Sequence, residues 1–112
     1  MVIYKIFRLP EHEAFLAAGE TAGAPVDLTD GYIHFSTAEQ VRETAAKHFA
    51  GETDLVLLAL EADTLGAALK WEPSRGGALF PHLYRTLTKA DVLWTSALPM
   101  GDRGHVFPEE LP

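Results

Sequence analysis

Apolar and polar positions at the start of the chain follow first the period of a strand and then that of a helix. The stretch "VIYKIFRL" alternates loosely and is rich in branched and aromatic residues, which favours a strand. Pro10 suits a first helical turn, and Glu11 and Glu13 lie where the helix dipole favours acidic side chains. The pattern predicts a strand followed by a helix that ends at Gly19.

A second short apolar stretch, "YIHFS", carries a histidine at its centre. In a strand, Ile33 and Phe35 face one side, whereas Tyr32, His34 and Ser36 form a polar face on the other. This polar face ends where helix-forming sequence begins, and free backbone amides at a helix start suit an anionic or ribose-bearing ligand. A sheet surface open to solvent explains the same pattern without a ligand.

The sequence on either side of this stretch predicts a loop before it and a helix after it. Apolar residues recur at helical spacing from Thr37 to Phe49, which predicts an amphipathic helix stopped by Gly51. Ser36 and Glu39 have the spacing of a capping box, so we expect Ser36 to cap this helix, with a ligand contact by the same hydroxyl left open. The preceding "ETAGAPVDLTDG" is small and turn-rich, which predicts a loop.

The second half contains one strongly apolar run and one segment without a period. "DLVLLALEA" predicts a central strand covered on both faces, and "TLGAAL" a short helical turn. "KWEPSRGGALFPHLYRTL" fits no regular period, and "DVLWTSAL" predicts a late strand. The tail is punctuated by proline and glycine.

Length and composition narrow the possible functions. The 112 residues suit a single domain, 1–112. Nine basic against sixteen acidic residues give a net charge of −7, and the basic residues are scattered, so we expect no nucleic-acid partner. The chain has no cysteine, which excludes disulfides, a thiolate nucleophile and a cysteine zinc site. Its start lacks a signal-peptide pattern and no stretch reaches membrane-spanning length, so we expect a cytoplasmic protein without membrane contact.

A second candidate site lies in "WEPSRGGALFPHLY". Gly76 and Gly77 allow a ligand to approach the main chain closely, and Arg75 supplies a forked cation for phosphate or carboxylate. A simple glycine turn explains the same residues equally well.

The adjoining "FPHLY" brings a second histidine. An extended chain puts Phe80, His82 and Tyr84 on one side, which suits stacking on a base, and Pro81 argues for an edge or entry position. Because both histidines lie on strand-like stretches beside aromatic residues, we expect His34 and His82 to face a common cleft.

The histidines do not suggest a metal site. None of the five forms an HxH, HxxxH or HExxH pattern, so a metal site would have to be assembled wholly by the fold, and none is expected. His12 and His105 are interpreted as surface residues and His48 as a helix-end residue.

Three stretches carry a family resemblance: "IYKI", "DGYIHFSTAEQVRETAAKHFAG" and "WEPSRGGALFPHLY". They resemble the landmarks of a small bacterial family known as domain of unknown function 952. The resemblance implies a compact α+β domain similar to the ADP-ribosyltransferase fold. In that fold a split mixed or antiparallel sheet with a few flanking helices forms a cleft, which holds NAD in toxins, poly-ADP-ribose polymerases and RNA 2′-phosphotransferases.

The resemblance also bears on individual residues, in two alternative ways. His34 and Ser36 resemble the histidine-x-serine/threonine signature with which one branch of that superfamily grips the ribose and nicotinamide. "FSTAEQVRETAAKHFAG" followed by "LVLLALEA" equally resembles the Ser-Thr motif, helix and strand of the other branch. The late catalytic glutamate of ADP-ribosyltransferases has no counterpart, since Glu72 comes too early and Glu109 and Glu110 belong to the tail.

The function expected from residues and resemblance together is binding of NAD or another ADP-ribose compound, with possible cleavage or transfer at the nicotinamide ribose. No cofactor beyond NAD as ligand or substrate is implied, and the oligomeric state stays open. One alternative is a non-catalytic sensor or partner-binding module that keeps the cleft; another is a small hydrolase or metal-assisted enzyme using the two histidines. The candidate residues are His34 and His82 for catalysis and Tyr32, Ser36, Arg75, Gly76, Gly77 and Tyr84 for substrate binding.

Overall fold

The computed structural model describes residues 1–109 and 111, with Arg75 described by its backbone only. The strands are β1 (Val2–Arg8), β2 (Glu20–Thr21), β3 (Ile33–His34), β4 (Ser36–Thr37), β5 (Leu55–Glu61), β6 (Leu69–Ser74), β7 (Ala78–Leu83), β8 (Leu87–Thr88), β9 (Val92–Leu98), β10 (Met100–Gly101) and β11 (Gly104–His105). The helices are α1 (Leu9–Ala18), α2 (Pro25–Asp30), α3 (Ala38–His48) and α4 (Ala62–Leu65), with 3₁₀ turns at Gly66–Ala68, Arg75–Gly77 and Lys89–Asp91.

The larger sheet is antiparallel and has the order β4-β1-β5-β9. Its inner strand β5 pairs with β1 and β9, and alternate side chains of β5 enter two separate hydrophobic clusters, one on each face. The predicted central strand covered on both faces is therefore confirmed, as are the first strand and the late strand. Burial of a continuous apolar run on two faces is what holds this strand inside the sheet.

The smaller sheet has the order β3-β7-β6 and contains the segment that showed no sequence period. Strands β6 and β7 form a hairpin whose turn holds Gly76 and Gly77 at left-handed φ values of 75° and 88°. Pro73 and Pro81 lie inside these strands and hide the alternation. β7 is the middle strand, so the prediction of an edge position for Pro81 was wrong. The proline is tolerated where β3 ends, and the Phe35 amide donates to the Pro81 carbonyl at 3.0 Å.

Two further predictions around β3 were wrong. The segment read as a loop contains β2 and α2. The cap of α3 is Thr37 rather than Ser36: the Gln40 amide donates to Thr37 Oγ1 at 3.3 Å, and the Thr37 amide donates to Gln40 Oε1 at 3.0 Å. Ser36 instead pairs with Tyr4 in the larger sheet and is buried, with its Oγ 2.9 Å from Thr44 Oγ1. Strand pairing with β1 thus delays the helix by one residue.

One compact unit contains all of these elements. The radius of gyration is 13.1 Å, which matches the value of about 13 Å expected for a single domain of this length. Helices and antiparallel sheets in this unit confirm the predicted α+β class, and α1 ends at Gly19 as predicted. No helix in the described part of the chain has both the length and the hydropathy needed to cross a bilayer.

Candidate functional site

A cavity of about 520 Å³ opens beside β1, within the size range of small-molecule and cofactor sites. Strand β4 pairs only with Ile3 and Tyr4, so the side of β1 from Lys5 onward has no such partner in the described structure. Residues in or next to the larger sheet, the smaller sheet, α2 and α3 line the cavity: Tyr4, Lys5, Ile6, Arg8, Ala24, Pro25, Val26, Asp30, His34, Phe35, Ser36, Thr44, His48, Phe49, Ser74, Phe80 and His82.

The carboxylate of Asp27 joins three parts of the fold behind this cavity. Its Oδ2 accepts from Lys5 Nζ of β1 and from the Ala24 amide, both at 2.7 Å. Its Oδ1 accepts from the His34 amide at 3.0 Å and lies 2.6 Å from His34 Nδ1. A Cβ on Gly23 would come within 2.4 Å of this carboxylate, so the backbone approaches it as only glycine permits. Asp27 therefore fixes the position of α2 against β1 and β3.

The electrostatics of this group keep the carboxyl charged although it is fully buried. Burial alone raises the pKa of Asp27, but the hydrogen bond from His34 and the Lys5 ammonium outweigh it, and the pKa is lowered. Burial lowers the pKa of the Lys5 ammonium, and Asp27 opposes that shift. The other ring nitrogen of His34, Nε2, lies 2.9 Å from Asp30 Oδ2. His34 is thus held between two carboxylates, and both nitrogens donate together only in the imidazolium form.

His82 is the register partner of His34 across β3 and β7, and it has a carboxylate of its own. Its Nδ1 lies 2.9 Å from Glu72 Oε1, and the Tyr84 hydroxyl donates to the same oxygen at 2.7 Å. The hydrogen bonds from Tyr84 and then His82 lower the pKa of Glu72, while Glu72 raises the pKa of Tyr84 to about 12. His82 Nε2 is buried and has no hydrogen-bond partner in the described structure.

Aromatic packing closes the space around the two histidines. The Tyr32 ring lies 4.2 Å from the His82 ring, 4.7 Å from that of His34 and 5.2 Å from that of Tyr84, measured between centroids. The two imidazoles meet edge to face at 5.3 Å.

Only part of the predicted site comes together. The predicted common cleft is confirmed, because His34, His82 and Ser36 all line the cavity. Tyr32 and Tyr84 pack against the histidines, but neither is among the described lining residues, and the same holds for Gly76 and Gly77 at the hairpin turn. The predicted contact of Arg75 lies outside the described side chains.

Sequence reasoning missed the groups that hold the histidines: Lys5, Asp27 and Glu72. Asp27 follows Pro25 at the third position of α2, which is a helix-start signal hidden in a segment read as a loop. Glu72 was considered only as a catalytic acid, and Lys5 looked like an ordinary charge in an opening strand.

Of the remaining histidines, His12 differs most from expectation. His12 is 8% exposed and its Nδ1 has no partner among the described residues, so its surface assignment was wrong. His105 is half-buried, with Nε2 2.7 Å from the Glu52 carbonyl oxygen, and His48 ends α3 as predicted. In the described structure no group of three His, Cys, Asp or Glu side chains is placed to hold a metal ion.

Comparison with known proteins places the chain in a family. The family model described as "Protein of unknown function (DUF952)" matches residues 6–95. The crystal structure of protein CC0527 from Caulobacter crescentus is similar at 51% identity and a TM-score of 0.89, over 94% of this chain and 92% of that one. Its solution NMR structure gives 52% identity and a TM-score of 0.84, over 93% and 90%. A comparison with the curated proteins gave no match. Because the family model spans most of its length, this chain belongs to the DUF952 family of unknown function.

Proposed function

We propose that this protein binds NAD or another ADP-ribose compound in the cavity beside β1. The observation that carries the proposal is the pair of histidines that line the cavity, each held by a carboxylate. A cavity of about 520 Å³ accommodates a nucleotide-sized ligand. The resemblance of the sequence motifs to the ADP-ribosyltransferase fold supports the same ligand class.

Two cations on the cavity wall suit the phosphate groups of such a ligand. The chain carries a net charge of −7, and among the described lining residues Lys5 and Arg8 are the cations and Asp30 supplies a carboxylate. Asp27 and Glu52 partly neutralise the two cations from outside the lining, since Arg8 Nε lies 2.7 Å from Glu52 Oε1. Lys5 and Arg8 would bind phosphate oxygens in exchange for part of their present contacts with Asp27 and Glu52.

The polar and aromatic groups fit the other parts of such a ligand. The Ser36 hydroxyl offers a hydrogen bond suited to a ribose hydroxyl, while Phe49 and Phe80 line the apolar wall against which a planar base can pack. This division follows the usual composition of cofactor sites, with an apolar lining and a few fixed polar groups.

A non-catalytic binding module is the second candidate, and one observation favours it. Both ring nitrogens of His34 already lie against carboxylates, so this side chain is fully engaged without a ligand. Metal-assisted hydrolysis, the third candidate, has no supporting cluster among the described residues.

Calorimetric titration with NAD and with ADP-ribose tests the proposal. We expect saturable binding by the parent protein and weaker binding by Ser36→Ala and by Arg75→Lys, since the latter exchanges a planar fork for a point charge. Lys89→Arg, a charge-preserving change in an exposed turn outside the cavity lining, is the matched control. Absence of binding to both compounds by folded parent protein refutes the proposal, whereas binding without nicotinamide release favours the non-catalytic module.

A further inference from the structure

Strand β9 lies at the edge of the larger sheet, where its outer side has no partner strand among the described residues. It is the last strand of that sheet and pairs with β5 alone. In an antiparallel pair, every second residue points its backbone N–H and C=O away from the partner strand. Over the seven residues Val92–Leu98 this leaves a row of backbone donors and acceptors that can pair with another strand.

The other edge strands of the two sheets are protected in ways that β9 lacks. Strands β3 and β4 are each only two residues long. Strand β6 carries Lys70, Glu72 and Pro73, and charged side chains and proline are the features with which edge strands resist pairing with another chain. Strand β9 contains neither a charged residue nor a proline, and its Leu93 is 55% exposed. An unprotected edge of this length is expected to have a partner strand.

The order of side chains along β9 makes the strand complementary to itself. Antiparallel pairing of two copies about Thr95 places Thr95 opposite the same residue of the other copy, and Leu93 opposite Ala97 on both sides of it. On this exposed face each large side chain meets a small one, and the two threonines meet each other. On the other face, Trp94 lies opposite Ser96, which again combines a large with a small side chain. Because β9 carries no charge, this register brings no like charges together.

We infer that β9 pairs with β9 of a second copy of this chain, related by a two-fold axis beside Thr95. The two larger sheets then form one continuous antiparallel sheet in the order β4-β1-β5-β9-β9-β5-β1-β4. Such an interface uses the same surface of both copies, so it closes at a dimer and does not grow into a filament. No residue of β9 is among the described lining residues of the cavity, so the pairing leaves both cavities accessible and does not depend on the proposed ligand.

Analytical ultracentrifugation of the parent protein and of Thr95→Lys tests the inference. We expect a reversible dimer for the parent. Thr95→Lys puts two ammonium groups opposite each other at the axis and should raise the Kd of the dimer about tenfold or more. Thr29→Lys, the same change at an exposed position of α2, should leave this Kd unchanged, and circular dichroism verifies that both variants fold. A parent that stays monomeric at millimolar concentration, or a dimer that Thr95→Lys leaves intact, refutes the inference.

Disulfide crosslinking under mild oxidation tests the register separately. The chain has no cysteine, so a thiol introduced at one position can react only with a thiol of another molecule. Thr95→Cys should crosslink with itself. Leu93→Cys and Ala97→Cys should each stay uncrosslinked alone but crosslink when mixed, because only opposite positions bring the Cα atoms within the range of about 4.4–6.8 Å that a disulfide spans. Crosslinking of Leu93→Cys with itself, or none in Thr95→Cys and in the mixture, overturns the inference.

Discussion

Replacing Asp27 by asparagine tests whether its carboxylate organises the site. The change keeps the shape of the side chain but removes the negative charge that faces Lys5 Nζ at 2.7 Å and His34 Nδ1 at 2.6 Å. The Lys5 side chain is 6% exposed, so its ammonium would remain as a buried charge without its counter-ion. The asparagine amide group also turns a donor toward one of the donors that Asp27 now accepts from.

The cost follows from this geometry. Removing one partner of a buried ion pair destabilises a protein by about 3–5 kcal/mol, because the other charge stays uncompensated. A domain of this size has a free energy of unfolding of about 5–15 kcal/mol, so Asp27→Asn should remove a large part of it. Lys5→Met on the Asp27→Asn background removes the stranded charge, and the double variant should therefore be more stable than the sum of the single changes predicts.

Urea denaturation followed by circular dichroism measures each free energy, and Asp102→Asn in an exposed turn is the matched control. We expect the control to change the free energy of unfolding by less than about 0.5 kcal/mol. The reasoning is refuted if Asp27→Asn costs less than about 1 kcal/mol, or if the effects at Lys5 and Asp27 are additive.

Two further predictions concern single titrating groups. Burial lowers the pKa of His12 below its ordinary value of 6.5, against a smaller opposing effect of Glu13. The unfolded chain therefore binds the proton more tightly, and the free energy of unfolding should fall as the pH falls through about 6.5; urea midpoints at pH 8 and pH 5 should differ less in His12→Phe than in the parent. The hydrogen bond to Glu72 raises the pKa of Tyr84 to about 12, so alkaline spectrophotometric titration of the parent should include a transition near pH 12, beside those of Tyr4 and Tyr32, whose pKa values burial also raises. That late transition should disappear in Tyr84→Phe and move toward pH 10 in Glu72→Gln; an unchanged titration curve in both variants would exclude the contact.

The sequence predicted elements where local pattern and tertiary packing agree. The apolar run of β5 has one stable location, between two other strands, and Gly19 ends α1 because it adopts a left-handed φ of 83°. The pattern predicted the wrong residue where strand pairing with a distant segment decides the local structure. Thr37 rather than Ser36 caps α3 because Ser36 is drawn into pairing with Tyr4, a residue far away in the chain.

The sequence predicted only those site residues whose type alone suggests a chemical role. His34 and His82 stood out because histidine in a strand is conspicuous, and their common cleft followed from that. Asp27 and Lys5 gave no such signal, since each is an ordinary charged residue whose role arises from a contact across 22 positions of sequence. Glu72 was not recognised as the partner of His82, 10 positions away, because the hairpin that brings the two together lies in the segment without a sequence period.

In the pairing of β3 with β7, the positions of the two histidines depend on the apolar residues next to them. Strand β3 offers only two pairs, Ile33 with Leu83 and His34 with His82, and the first pair is buried in the main hydrophobic cluster. A slip of β3 by one residue would turn His34 into that cluster and bring Ile33 to the cavity, and it would bury a polar ring away from its carboxylate partners. Burial of Ile33 and Leu83 thus fixes the register in which His34 and His82 pair. Substitutions at these two positions should therefore disturb the placement of His34 and His82 as well as the stability of the fold, although neither side chain is among the described lining residues of the cavity.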